Sequence, residues 1–199
     1  MIELALFLAA FAPSSFDCAK ASSNAQRLVC GDAGLAAMDV EVDRLFKLAL
    51  RDRALRPATS AQLRAVQRGW IKGRDDCWKA DDLRRCVLAN YAQRIHQLRQ
   101  GYANARSQDG KGRSLGPFAY RCAGLGALVG ATFINTGPGA VWIEWADKGM
   151  ALPQARSASG ARYAGTQTDS GYVFWIKGRS ATLQRPGQRG LTCTQDETG

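Results

Sequence analysis

The hydrophobic pattern of this chain changes period partway along, and few folds tolerate that within a single layer. Up to Gly101 the apolar residues recur at helical spacing. Leu35, Met38, Val42, Leu45, Phe46 and Ala49 share one helical face. Pro57 ends that segment, and Thr59 or Ser60 is placed to cap a second helix lined by Leu63, Val66 and Trp70. Asp81 or Asp82 opens a third, with Leu83, Val87, Tyr91, Ile95 and Leu98 at the same spacing, and Gly101 stops it. Beyond Phe118 the runs are short and alternating, and Gly, Pro, Asn and Asp break them. Val141, Ile143 and Trp145 alternate with Trp142 and Glu144; Tyr172, Phe174 and Ile176 alternate with Val173, Trp175 and Lys177. Lys177 is therefore expected to point away from the Phe174 face. Regular short strands of this kind predict an antiparallel barrel or sandwich. The stretch NARSQDGKGRSLGP, residues 104–117, has no period and reads as a linker. The expected fold class is α+β in two domains: a helical bundle over 16–103 and an all-β unit over 118–196.

The chain has six cysteines: Cys18, Cys30, Cys77, Cys86, Cys122 and Cys193. An even count without a Cys-x-x-Cys pair fits an oxidised, exported protein. Four cysteines lie in the first half and two in the second, so separately folding halves leave three pairings. The expected set is Cys18–Cys30, Cys77–Cys86 and Cys122–Cys193. With one histidine, a zinc site has little support, and no metal or cofactor is expected. The N-terminus, MIELALFLAAFAPSS, has an apolar core from Leu4 to Phe11 and a small-x-small Ala10-Phe11-Ala12. It reads as the remnant of a signal peptide over 1–15, too short to span a bilayer. A periplasmic or secreted location without stable membrane insertion follows as an expectation. The net charge is +10, with 17 basic against 11 acidic residues up to Arg106 and 10 against 6 after it. Positive charge spread in this way favours anionic partners without choosing among them.

Most motifs have structural readings. Gly124, Gly126 and Gly130 miss the dinucleotide spacing by one residue, and no helix pattern follows. Asp75-Asp76 and Asp81-Asp82 flank a helix break and a cap, where acids suit the helix dipole. His96, the single histidine, is expected at a surface or partly packed position of the third helix. The five tryptophans read as core or rim residues, and export argues against nucleic acid as a partner. No nucleophile, base and oxyanion donor come together, so no enzyme is expected. Two features remain: the turn at Ser159-Gly160 and the cation Lys177 at a strand end.

The segment LPQARSASGARY…GYVFWIKGRSATLQRPG…LTC, with YRC at 120–122, resembles the MliC/PliC family of periplasmic inhibitors of c-type lysozyme. FDCAKASSNAQRLVC with LRAVQRGWIKGRDDC is similar to the LprI-like family, also linked to lysozyme inhibition. The first resemblance implies an eight-stranded antiparallel barrel and c-type lysozyme as partner. It also implies a serine and a lysine that engage the enzyme's two catalytic carboxylates. By motif these are Ser159 and Lys177, with Gly160 shaping the turn and Tyr163 supporting the contact. The chain departs from the family in a longer stretch over 164–171 and in Arg179-Ser180 where an acidic pair is usual. Both departures are expected beside Ser159 and Lys177. The competing expectation is a binder of anionic envelope polymer, peptidoglycan or lipopolysaccharide, acting through the basic helical half.

Overall fold

Ser23 starts the first helix by accepting the amide of Gln26, whose side chain returns to the Ser23 amide; this capping box begins α1, Asn24–Gly31. Asp32 then caps α2, Ala33–Leu50, through the amide of Leu35. α3 runs Pro57–Asp75, α4 Leu83–Gly101 under an Asp82 cap, and α5 Ala103–Arg106. The structure, a computed structural model, describes residues 13–52, 55–107, 110 and 112–196. Most of the expected leader, residues 1–12, lies outside the described residues.

Three helices follow the expected stripes, with two differences. Pro57 does not only end the preceding segment: it is the first residue of α3, where its missing amide costs nothing. Val66 is 46% exposed rather than packed. The buried side of α3 is formed by Leu63 and Arg74, with Trp70 half-buried between them. α1 was not anticipated, because it is too short to show a period.

A polar network closes the helical core. Asp39 of α2, buried, accepts from the Tyr91 hydroxyl at 2.9 Å and from the Ser15 amide at 2.6 Å. Arg74 donates to the same hydroxyl at 2.8 Å and holds Asp75 at 2.8 Å. Burial, and then the Asp39 charge, push the Tyr91 hydroxyl far above its ordinary pKa, which keeps it a donor. The disulfide Cys18–Cys30 ties the segment before α1 to its end, and Cys77–Cys86 ties the turn after α3 to the start of α4.

The second half is a closed barrel of eight antiparallel strands in chain order. They are β1 Ser114–Cys122, β2 Leu128–Ile134, β3 Ala140–Trp145, β4 Lys148–Ala155, β5 Ala161–Ala164, β6 Val173–Lys177, β7 Ser180–Gln184 and β8 Leu191–Gln195. Closure comes from β1 against β8, where Cys122 faces Cys193 in register and is bonded to it. The interior holds Tyr120, Phe133, Val141, Ile143, Leu152, Tyr163, Phe174 and Leu183. The 104–117 stretch is less of a linker than its composition suggests: α5 begins it and β1 takes its last four residues.

The two halves share a buried layer. Ile134, Ala140, Trp142 and Ala151, on the outer surface of the barrel, pack into the helical core. β3 is therefore buried on both faces, and Trp142 is covered although it alternates with the barrel interior. α4 crosses this outer surface, and three groups of contacts fix it. At its start, Arg85 pairs with Asp169 at 3.0 Å. Midway, His96 lies 2.8 Å from the Thr132 hydroxyl and 2.9 Å from a Glu144 carboxylate oxygen. At its end, the wholly buried Arg99 donates to the Gly116 carbonyl at 2.6 Å. His96 is thus 1% exposed, which corrects the surface or part-packed reading. A helix period cannot reveal that a sheet covers the helix.

Candidate functional site

Strand direction decides which turns share an end of the barrel. The turns β2–β3, β4–β5 and β6–β7 lie at one end; β1–β2, β3–β4, β5–β6 and β7–β8 lie at the other. Ser159 is in the β4–β5 turn and Lys177 ends β6, so both stand at the first end. The pairing of Ala161 with Ile176 sets Gly160 beside Lys177. A Cβ built on Gly160 would lie 2.1 Å from the Ile176 carbonyl oxygen and 2.9 Å from Lys177 Cγ. Gly160 also has φ +67, so both clearance and backbone require glycine.

The turn is held through its main chain. The Ser159 carbonyl accepts from Trp175 Nε1 at 2.9 Å and from the Ser157 hydroxyl at 2.7 Å. The Ser159 side chain is left exposed, as is Lys177. The Lys177 ammonium sits 4.1 Å from the centre of the Trp175 ring, a cation–π contact that holds it near the turn. A shallow hollow of about 140 Å³ adjoins it, lined by Trp175, Lys177, Ser180 and Thr182. Trp175 therefore anchors both groups, one by its N–H and one by its ring. No motif marked it. The alternation that put Trp175 and Lys177 on one outward face was the available signal.

Tyr163 occupies a different place. It is 4% exposed in the barrel interior, its ring 5.8 Å from Phe133, and burial raises its hydroxyl pKa. The β5 register turns it inward, so it lies beneath β5 and not on the exposed turn. The two departures from the family pattern also separate. Arg179-Ser180 adjoins Lys177 at the β6–β7 turn, with Ser180 paired to Lys177. The long 164–171 stretch lies at the opposite end of the β5–β6 hairpin, which corrects its placement beside the site. It carries a 3-10 turn, Gln167–Asp169, that grips α4. Arg85 bonds both Thr168 and Asp169, and Gln167 donates to Asp82 at 3.1 Å. The extra residues thus dock the helical half.

The other candidates have structural partners. Asp82 caps α4, Asp75 holds Arg74, and Asp76 holds Lys79 at 3.0 Å. A cleft of about 570 Å³ lies between α4 and strands β1–β3, away from Ser159, and is lined by Gln100, Arg106, Phe118, Leu128, Glu144 and Trp145. The three disulfides suit an oxidising, extracytoplasmic compartment. Among the described residues no helix is long and apolar enough to cross a membrane.

A search among curated proteins finds no match to the chain. Two family models do match, and both describe inhibitors. Residues 18–98 match "Lysozyme inhibitor LprI", and residues 120–192 match "Membrane-bound lysozyme-inhibitor of c-type lysozyme", MliC. The chain thus joins an LprI-like helical segment to an MliC-like barrel, each similar to a family of lysozyme inhibitors.

Proposed function

We propose that the protein inhibits a c-type lysozyme by setting Ser159 and Lys177 against the enzyme's two catalytic carboxylates. The observation that carries this reading is the juxtaposition of the two side chains, both exposed, on neighbouring turns at one barrel end. Trp175 restrains both, so little freedom is lost when they dock. Retaining glycoside hydrolysis needs one carboxyl protonated and its neighbour ionised. An ammonium within hydrogen-bond reach of the acid favours its ionised form and removes the proton donor. Lys177 supplies that charge, Ser159 a hydrogen bond, and the turn fills the cleft. Gly160 permits the close approach of the two turns, and Tyr163 stiffens β5 from inside.

A charge-assisted hydrogen bond nets about 1.5–3 kcal/mol, whereas nanomolar binding needs about 12 kcal/mol. The pair alone is therefore not enough, and a rim of about 800 Å² per partner supplies the rest. Arg179, next to Lys177, places a second cation on that rim where the family usually carries acids.

The test is a titrated muramidase assay with Lys177→Ala and Ser159→Ala in the full chain. Lys177→Ala is expected to weaken inhibition of a c-type lysozyme tenfold or more, roughly the loss of one charge-assisted bond. Inhibition unchanged in both variants, with the barrel intact by circular dichroism, would rule the assignment out.

A further inference from the structure

α3 is the most exposed helix of the bundle, and the charged residues on its outward face are all cationic. From Pro57 to Arg74 it contains no acidic residue. Arg64, Arg68 and Lys72 are exposed, and among the described residues their charged groups take no hydrogen bond or ion pair. Several other surface cations of the bundle have acidic partners: Lys20 has Asp17, Lys47 has Asp43, Lys79 has Asp76 and Arg84 has Asp32. Residues four apart on a helix advance about 6 Å and turn only about 40°. The three cations therefore form one row about 12 Å long. Ala61, Ala65 and Gly69 flank the row and leave its floor low; a Cβ at Gly69 would meet nothing within 4 Å. Asp75 and Asp76 beyond its end are held by Arg74 and Lys79 and do not neutralise it.

We propose that this face of α3 binds a linear phosphate-bearing polymer, with Arg64, Arg68 and Lys72 each pairing one phosphate along its length. Charge complementarity carries the choice of partner. Guanidinium forks match phosphate oxygens in pairs, and an ammonium adds a point charge. Three unpaired like charges in a row repel one another, and a polyanion relieves that repulsion while releasing its own counterions. The low floor admits a chain lying along the helix. A lipid surface fits less well. The exposed apolar residues Val66 and Ile71 lie about 140° apart around the axis, on opposite flanks, so no apolar face accompanies the cations. The disulfides place the chain in an oxidising compartment, where such polymers belong to the cell envelope. This site is separate from Ser159 and Lys177 and does not depend on them.

The test is binding of medium-chain inorganic polyphosphate to the full chain over a range of salt. Arg64→Gln/Arg68→Gln/Lys72→Gln is compared with a control of equal charge, Lys148→Gln/Arg121→Gln/Arg189→Gln on the barrel. The α3 variant is expected to lose at least tenfold in affinity at 0.1 M salt. Its slope of log K against log salt should become shallower by about 2–3, the control's by less than 1. Arg68→Gln alone, at an exposed position that the fold does not use, should shift the slope by just under 1 and leaves the test intact if the triple variant is unstable. Equal losses in the α3 and barrel variants would mean that net charge alone binds, and would overturn the proposal. So would equal affinity for the carboxylate polymer hyaluronate. Tighter binding of phosphatidylglycerol vesicles than of polyphosphate would replace the polymer with a membrane surface and overturn it as well.

Discussion

Arg99 gives the sharpest test of how the two halves are joined. It is wholly buried at the end of α4, and its guanidinium reaches two segments, α5 and β1. It donates to the carbonyls of Gly116 at 2.6 Å, Ala105 at 3.3 Å and Arg106 at 3.1 Å, and to the Ser114 hydroxyl at 3.4 Å. That hydroxyl in turn donates to the buried Glu41, which Arg44 holds at 2.8 Å. Arg99→Met keeps the volume of the side chain and removes every donor. Three carbonyls, two of them buried, and a buried hydroxyl then lose a partner each. Breaking a buried charged network of this kind costs about 3–5 kcal/mol. For a chain of 199 residues each kcal/mol lowers Tm by roughly 2–4 °C, so a fall of about 10 °C is expected. Arg99→Lys keeps the charge but not the fork and should lose most of the same stability. The assay is thermal unfolding followed by far-ultraviolet circular dichroism. Hydrogen exchange at the amides of β1 and α5 should also quicken first. A fall in Tm under 2 °C for Arg99→Met, with unchanged exchange in β1, would refute the view that this side chain ties the helices to the barrel.

Other outcomes follow from the same geometry. Gly160→Ala sets a Cβ against the Ile176 carbonyl and should weaken lysozyme inhibition while the barrel still folds, as checked by inhibition titration beside circular dichroism. The Cys122–Cys193 bond closes 71 residues of chain; replacing both cysteines with alanine should cost roughly 4 kcal/mol in urea unfolding, and a loss below 1 kcal/mol would show that strand pairing alone holds the closure. Burial raises the pKa of Asp32, but the Leu35 amide and Arg84 outweigh it and hold the carboxyl below its ordinary value. Its contribution is therefore present above the ordinary carboxylate range and lost as pH falls through the depressed value. Acid unfolding of Asp32→Asn should accordingly show a weaker pH dependence below about pH 4 than the parent chain.

Much of the architecture was legible because it is set by local period. The stripe from Leu35 to Ala49, the Asp82 cap and the stop at Gly101 need only neighbours three or four residues away. The outward alternation of Trp175 and Lys177 needs only a pleated strand. Cysteine count and spacing led to the three disulfides once the halves were separated. Ser159 and Lys177 were singled out by motif, and strand direction places them at one end. Tyr163 was drawn from the same motif as a support of the contact, and a motif does not say which way a residue faces. Its β5 register turns it inward.

What the sequence by itself determined is the set of elements: helices before residue 104, strands after 114, and the cross-links within each. Their mutual placement was decided only by tertiary structure. His96 is buried because β2 and β3 lie over α4; the 164–171 stretch sits away from the site because it closes the far end of a hairpin and grips Arg85. Arg99 finds its carbonyls in α5 and β1, two segments that meet at α4 only after the chain has turned back on itself. The physical reason is range: propensity and period act over a few residues, while burial and the pairing of buried polar groups depend on surfaces brought together from distant parts of the chain.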